Sequence, residues 1–259
     1  MISINDVTKR FGQVTAVQSL SLHVEKGEFF GLIGLNGAGK TTTLKMLVGL
    51  LFPDEGTITI GGRDFRREPQ QIKARLGYIP DQPYIYDKLS GREFLYFVGG
   101  LYRMSRPEID RRMAFLFELF SVEKWADYRA EEYSHGMRQK IVFCSALLHS
   151  PELVILDEPL VGLDPQSGKL VKDLMRLMVR EQGITIIMST HTLAVAEALC
   201  DRIGIIHLGK LMHLGTVAEV RAGAGDLEEA FLSLLGGSIE ARLYDREAAS
   251  LLELPELPE

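Results

Sequence analysis

The alternation of apolar and polar positions changes period twice along the chain. Ser19-Leu20-Ser21-Leu22-His23-Val24 alternates with period two, runs into the turn signal Glu25-Lys26-Gly27, and is followed by the unbroken apolar run Phe29 to Ile33. Alternation predicts a strand with one exposed face, and an unbroken run predicts a strand buried on both. Thr57-Ile58-Thr59-Ile60 before Gly61-Gly62 repeats the strand-then-turn pattern, predicting an antiparallel patch near the N-terminus. From about Asp87 to Tyr133 the period becomes helical. Ser90-Gly91-Arg92-Glu93 has capping-box spacing, and Phe94 to Tyr102 follows as a helix. Ser105 and Pro107 open a second helix through Phe120, with Ile109, Met113, Leu116, Phe117 and Phe120 on one stripe. Apolar strands then alternate with amphipathic helices: Leu153 to Leu156, a helix near Gly168 to Val179, Ile184 to Met188, a helix near Leu193 to Leu199, and Ile203 to His207. That rhythm predicts a parallel sheet covered by helices. Gly209-Lys210 reads as a hairpin turn, Asp226 to Leu235 as one more amphipathic helix, and Leu254 to Glu259 as a fraying end.

Composition narrows this picture. With 46% apolar and 25% charged residues in 259, the chain has globular composition and is long enough to bury a sizeable core. A net charge of −6 gives no global attraction for nucleic acid or an anionic membrane, so the basic cluster Arg66, Arg67, Lys73 and Arg75 beside Phe65 reads as a surface loop and no nucleic-acid partner is expected. Cys144 and Cys200 both lie in apolar stretches and read as buried thiols of a reducing compartment. There is no basic leader with an apolar core, and no apolar run approaches membrane-spanning length, so the expectation is a cytosolic chain.

The chemistry concentrates after the Phe29 to Ile33 strand. Gly34-Leu35-Asn36-Gly37-Ala38-Gly39-Lys40-Thr41 fits the phosphate-loop pattern and opens directly into the helical stretch Thr42 to Leu50. Glycines let the loop fold back so that its N–H groups and the helix N-terminus, with Thr42 in its first turn, face one anion. Lys40 can neutralise β- and γ-phosphates, and the Thr41 hydroxyl can ligate Mg²⁺. Such a site needs a further carboxylate for the metal and a group to activate water. Asp157 and Glu158, at the carboxyl end of the Leu153 to Leu156 strand, supply them: Asp157 for the metal, Glu158 as base.

These residues, together with Tyr133-Ser134-His135-Gly136-Met137-Arg138-Gln139, Gly162-Leu163-Asp164 and Ser189-Thr190-His191, occur in the order and spacing of ATP-binding cassette ATPases. The sequence resembles the nucleotide-binding subunit of an ABC transporter over nearly its whole length. The resemblance implies that Phe11 stacks on adenine, that Ser134 and Gly136 present a helix N-terminus to the γ-phosphate held by the opposite subunit, that Asp164 lies at the dimer interface, and that His191 contacts the γ-phosphate and serves catalysis with Glu158 and Lys40. The family's common signature is Ser-Gly-Gly-Gln; here His135 occupies a glycine position and Met137 replaces the glutamine. In Gly77-Tyr78-Ile79-Pro80-Asp81-Gln82 the family's metal-contacting glutamine aligns with Asp81, with Gln82 one residue later, and both stay candidates.

The fold so implied is α/β: a P-loop ATPase core with a mixed sheet, an antiparallel patch and an inserted α-helical subdomain. The catalytic lobe comprises 1–86 and 151–220, the helical subdomain 87–150, and a C-terminal helix and tail 221–259. ATP and Mg²⁺ are the expected cofactors. One chain holds two half-sites, so an ATP-dependent homodimer suffices, and a heterodimer stays open. Transport requires a separately encoded transmembrane permease, which would hold the chain on the inner face of the cell membrane. The helical stripe Phe94, Leu95, Phe97, Val98 and Leu101 reads as core packing, part of it available to a permease helix. The Ser134 to Met137 variant and the helix at Leu227 to Leu232 resemble export-type subunits, and fewer than 40 residues follow Val220, whereas importer subunits often carry a longer C-terminal regulatory domain. The rival reading is a non-transport cassette ATPase of translation or DNA maintenance.

Overall fold

The computed structural model describes residues 1–222 and 225–234; Leu235 and the fraying end at 254–259 lie outside the described residues. The chain opens with strands β1 (Ile2–Phe11), β2 (Val14–Val24) and β3 (Phe29–Ile33), the helix α1 (Lys40–Leu47), and strands β4 (Glu55–Ile60) and β5 (Arg63–Asp64). Strands β2, β1, β4 and β5 form, in that order, an antiparallel sheet of four. The sequence pattern shows only the last part of β2 and nothing of β1. The reason is visible in the backbone: Asp6 and Ser19 take φ of 49° and 47° where the β1–β2 register shifts, and each bulge breaks the period-two alternation.

After α2 (Pro69–Lys73) and β6 (Leu76–Ile79) come the helices α3 (Gly91–Leu101), α4 (Arg106–Phe120) and α5 (His135–Leu147). The predicted capping box forms: Ser90 accepts from the Glu93 amide, and the Glu93 carboxylate accepts from the Ser90 amide. Strands β7 (Leu153–Asp157), β8 (Thr185–Thr190), β9 (Arg202–His207) and β10 (Lys210–Thr216) then alternate with α6 (Pro165–Gln182) and α7 (Leu193–Leu199), and α8 (Val217–Arg221) follows. The six-stranded sheet runs β10-β9-β3-β8-β7-β6, parallel throughout except for the antiparallel edge strand β10. Residues 227–234 are helical.

The unbroken apolar runs are explained by what lies on either side of this sheet. Phe30 and Leu32 of β3 point into a core shared with the antiparallel sheet and α1, whereas Phe29 and Ile33 point into a second core with α3 to α7. Along the predicted stripe of α3, Phe94 and Leu95 are buried, but Phe97 is 44% and Leu101 67% exposed. The stripe is therefore wider than the surface that α4 and α5 cover. Phe65 is likewise a core residue and not part of a basic surface loop, its ring lying over Gly49. Both cysteines are buried free thiols.

One partly buried titrating group ties the helical region to the sheet. His149, just beyond α5, stacks on Tyr102 with centroids 3.6 Å apart, and its Nε2 lies 3.1 Å from the Leu76 carbonyl. The Nε2–H tautomer makes that bond and leaves Nδ1 a buried acceptor with no partner. Burial lowers the ring pKa from 6.5 to about 4; the Leu76 bond opposes this and the Arg112 charge adds to it. Between these values the unfolded chain binds the extra proton and the folded one does not. Stability is therefore complete above pH 6.5 and falls as pH drops toward 4, by up to ~3 kcal/mol. Urea midpoints measured between about pH 7 and pH 5 should fall in the native protein and flatten in His149→Phe, which keeps the stack without the titration.

Candidate nucleotide-binding site

Register brings the chemistry together. Ile33 at the end of β3 pairs with Thr190 at the end of β8, Asp157 of β7 pairs with Ser189, and Ile79 at the end of β6 pairs with Leu156. Four parallel strands thus stop at one edge, and the residues just beyond them (Gly34, Glu158, His191 and Asp81) meet across the crevice where open α/β sheets place ligands.

The loop from Gly34 to Gly39 wraps this edge and leads into α1. Two of its glycines are required by close approach: a Cβ on Gly34 would lie 2.4 Å from the Ile206 carbonyl oxygen, and one on Gly39, at φ +108°, 2.5 Å from that of Ala16. The result is a cavity of about 410 Å³ lined by Asn36, Gly37, Ala38, Gly39, Lys40, Thr41 and Thr42, with Asp81, Glu158 and His191 opposite and Ala16 and Val161 at its sides. The Lys40 side chain is 6% exposed; its ammonium donates to the carbonyls of Gly34 at 2.8 Å and Leu35 at 3.2 Å and sits 3.6 Å from Glu158 Oε1. That same carboxylate oxygen accepts from His191 Nδ1 at 2.9 Å.

Below the cavity, Asp157 Oδ1 accepts from the Thr41 hydroxyl at 3.2 Å and the Ser189 hydroxyl at 2.5 Å. Its Oδ2 is buried without a hydrogen-bond partner. An orphaned carboxylate oxygen beside a hydroxyl and a phosphate loop fits a hard divalent cation such as Mg²⁺. No group of three or more His, Cys, Asp or Glu side chains among the described residues could hold a metal by itself, so nucleotide phosphates and water would complete the shell. Tyr78 stands close by; burial, with the Asp157 and Asp81 charges adding, raises its hydroxyl pKa well above the ordinary range, so it stays neutral.

Some candidates lie elsewhere. Phe11 is at the exposed tip of the β1–β2 hairpin, under the Lys9 ammonium at 5.5 Å, and Gln82 falls outside the cavity lining that Asp81 joins. Ser134 caps α5 by accepting from the Met137 amide at 3.3 Å, so Ser134, His135, Gly136 and Met137 form that helix's N-terminus and do not line the cavity. Asp164 caps α6, accepting from the amide and the hydroxyl of Ser167, whose hydrogen bonds hold its carboxyl below the usual range. This cap starts α6 at Pro165, ahead of the predicted Gly168; the signal Asp164-Pro165-Gln166-Ser167 was present in the sequence. Ser189 was not singled out, yet it holds Asp157 and also accepts from the Glu158 amide at 3.2 Å. A hydroxyl near the end of an apolar strand, two residues before His191, is the signal that would have found it.

A family model described as ABC transporter matches residues 17–161. The chain is 36% identical over 242 residues to the ABC transporter ATP-binding protein NatA of Bacillus subtilis (strain 168), spanning 91% of this chain and 98% of that one. It is 38% identical over 213 residues to the bacitracin transport ATP-binding protein BcrA of Bacillus licheniformis, covering 82% and 68%. Among solved structures, an ATP-binding subunit of an ABC transporter superposes with a TM-score of 0.84 at 33% identity, covering 90% of this chain and 99% of that one. A dimeric ATP-binding cassette in a post-hydrolysis state with ADP and phosphate superposes with a TM-score of 0.77 at 25% identity, covering 83% and 98%. With the phosphate loop, Asp157, Glu158 and His191 gathered at one sheet edge, these likenesses establish that the chain belongs to the ABC transporter family as an ATP-binding subunit, an ATPase.

Proposed function

We propose that this subunit hydrolyses ATP with Mg²⁺ at a site completed by a second copy, and that the resulting dimer closure and opening drive export through a separate membrane permease. The observation that carries the reading is the Glu158 carboxylate, held by His191 at 2.9 Å and within 3.6 Å of Lys40 on the cavity wall. Lys40 neutralises the β- and γ-phosphates, and the loop amides of Asn36 to Thr42 fix their orientation. Thr41, Asp157 and Asp81 would hold Mg²⁺, which when bound would neutralise charge on the phosphoryl oxygens. Glu158 takes a proton from the attacking water as its oxygen bonds to the γ-phosphorus and ADP departs with the bridging oxygen. His191 orients that carboxylate and meets the γ-phosphate.

Two features support the dimer: Ser134 to Met137 and Asp164 lie outside the cavity, and a structural relative is a dimer. For the permease, no helix among the described residues is long and apolar enough to cross a membrane. Near Asp81 the chain also carries an exposed aromatic cluster, with Tyr84 71% exposed and packed edge-on to Tyr86, which packs in turn on Phe97. Such a patch suits a permease helix and would hold the subunit on the inner face of the membrane. Relatives named for bacitracin transport, linearmycin resistance and Nod factor export support the export direction.

Purification of the tagged chain from its native cells in mild detergent tests the assignment. A polytopic membrane protein in stoichiometric amount is the expected companion. Recovery with a ribosome or a DNA-processing complex would overturn the transport role and leave the ATPase.

A further inference from the structure

The signature helix α5 reaches the segment that carries Glu158 from outside the cavity, at two points. Gln139, one turn into α5, is only 1% exposed; its Nε2 lies 3.5 Å from the Pro159 carbonyl oxygen, the outer limit of a hydrogen bond, and its Oε1 is buried with no partner. The His135 ring lies against Gly162, where an added Cβ would come within 2.4 Å of its Cδ2. Just before these contacts Glu158 adopts φ +48°, the left-handed region, directly before a proline. Both facts are unfavourable: the side chain crowds its own backbone there, and the proline ring disfavours compact conformations of the residue before it. A strained residue persists only where its surroundings over-determine it. One side is accounted for, since the Glu158 amide donates toward Ser189 O and Oγ, both at 3.2 Å.

We propose that Gln139 is a positioning residue that holds the Pro159 carbonyl, and through it the Glu158 carboxylate, in the geometry needed to take the proton from water. The chemistry of the position argues against a purely structural role. A buried amide with an orphaned oxygen is penalised relative to an apolar side chain of the same length, so packing alone favours Leu or Met here. Hydrogen bonds that serve a reaction are commonly long before the reacting complex forms and shorten within it, which is the state of this one. The inference rests on Glu158 as the base.

Gln139→Leu removes the donor and the orphaned acceptor together while keeping the volume. Its thermal midpoint and its affinity for fluorescent ATP should equal or exceed those of the native protein, while kcat falls roughly ten- to hundredfold with KM for ATP unchanged. Gln139→Glu supplies a second readout. A carboxyl in this buried position has a raised pKa. Protonated, it donates to the Pro159 carbonyl; ionised, it cannot. The ratio of its kcat to that of the native protein should rise as pH falls from about 8.5 to about 6.5, every group the two proteins share cancelling in that ratio. Native kcat in Gln139→Leu, a loss of kcat matched by lost stability or affinity, or a flat ratio in Gln139→Glu would overturn the proposal. Should Gln139→Leu fail to fold, the Gln139→Glu ratio decides alone. Glu158→Gln assayed alongside separates the two levels: undiminished turnover there removes the base, whereas undiminished turnover in Gln139→Leu alone removes only the positioning role.

Discussion

Glu158→Gln should lower ATP turnover by two to four orders of magnitude, the usual contribution of a general base, and leave ATP binding intact or tighter. The amide is isosteric, so it can keep the 2.9 Å contact with His191 Nδ1 through its oxygen, but it cannot carry off the proton of the attacking water. It also removes the anion 3.6 Å from Lys40, leaving that ammonium free of its internal counter-charge and more available to phosphate. Binding without turnover should accumulate the ATP-bound dimer, visible as a doubling of mass by light scattering when ATP is added and absent with ADP. Persistent turnover in preparations shown free of contaminating ATPases would remove Glu158 from the role of base.

Lys40→Ala has the larger effect on binding. The ammonium is almost wholly buried and joins three acceptors, the Gly34 and Leu35 carbonyls and Glu158. Its loss takes from the phosphates their one charge-assisted partner within the loop, and leaves the Glu158 carboxylate beside them uncompensated. Charge-assisted contacts in such desolvated settings are worth about 3 to 5 kcal/mol, so affinity for ATP should fall by roughly two to four powers of ten. Calorimetric titration checks this, with circular dichroism to verify the fold. Undiminished affinity would mean that the loop glycines and α1 alone hold the phosphates.

The two effects separate the functions of neighbouring groups. On the proposed reading the largest effect of Lys40 is on binding and that of Glu158 on the chemical step, although the two groups lie 3.6 Å apart. Asp157 is held separately, with Thr41 and Ser189 both donating to its Oδ1 while Oδ2 has no hydrogen-bond partner.

Much of this was legible in the chain because it depends on neighbours in sequence. The phosphate loop is local: glycine where a Cβ would strike the Ile206 or Ala16 carbonyl, then a helix whose first residue is Lys40. The capping box at Ser90 and Glu93 is equally local. The apolar periodicity places the start of α6 only near Gly168, whereas the Asp164 cap starts it at Pro165. β1 escaped notice for a different reason: its bulge at Asp6 is set by pairing with β2 and β4, and broke the very alternation by which strands are recognised.

What the sequence by itself determined is many of the elements and the chemical groups, because strand and helix periods and the turn preferences of glycine and proline arise from backbone sterics within a few residues. What only the tertiary structure decided is which groups meet. Asp157 reaches Thr41 across 116 positions of chain, and His191 reaches Glu158 across 33. Asp81 faces the cavity and Gln82 does not. Each outcome hangs on the register of parallel strands brought together from distant parts of the chain. A shift of one residue turns every side chain of a strand to the opposite face, and that register is set by the packing of the two cores on either side of the sheet.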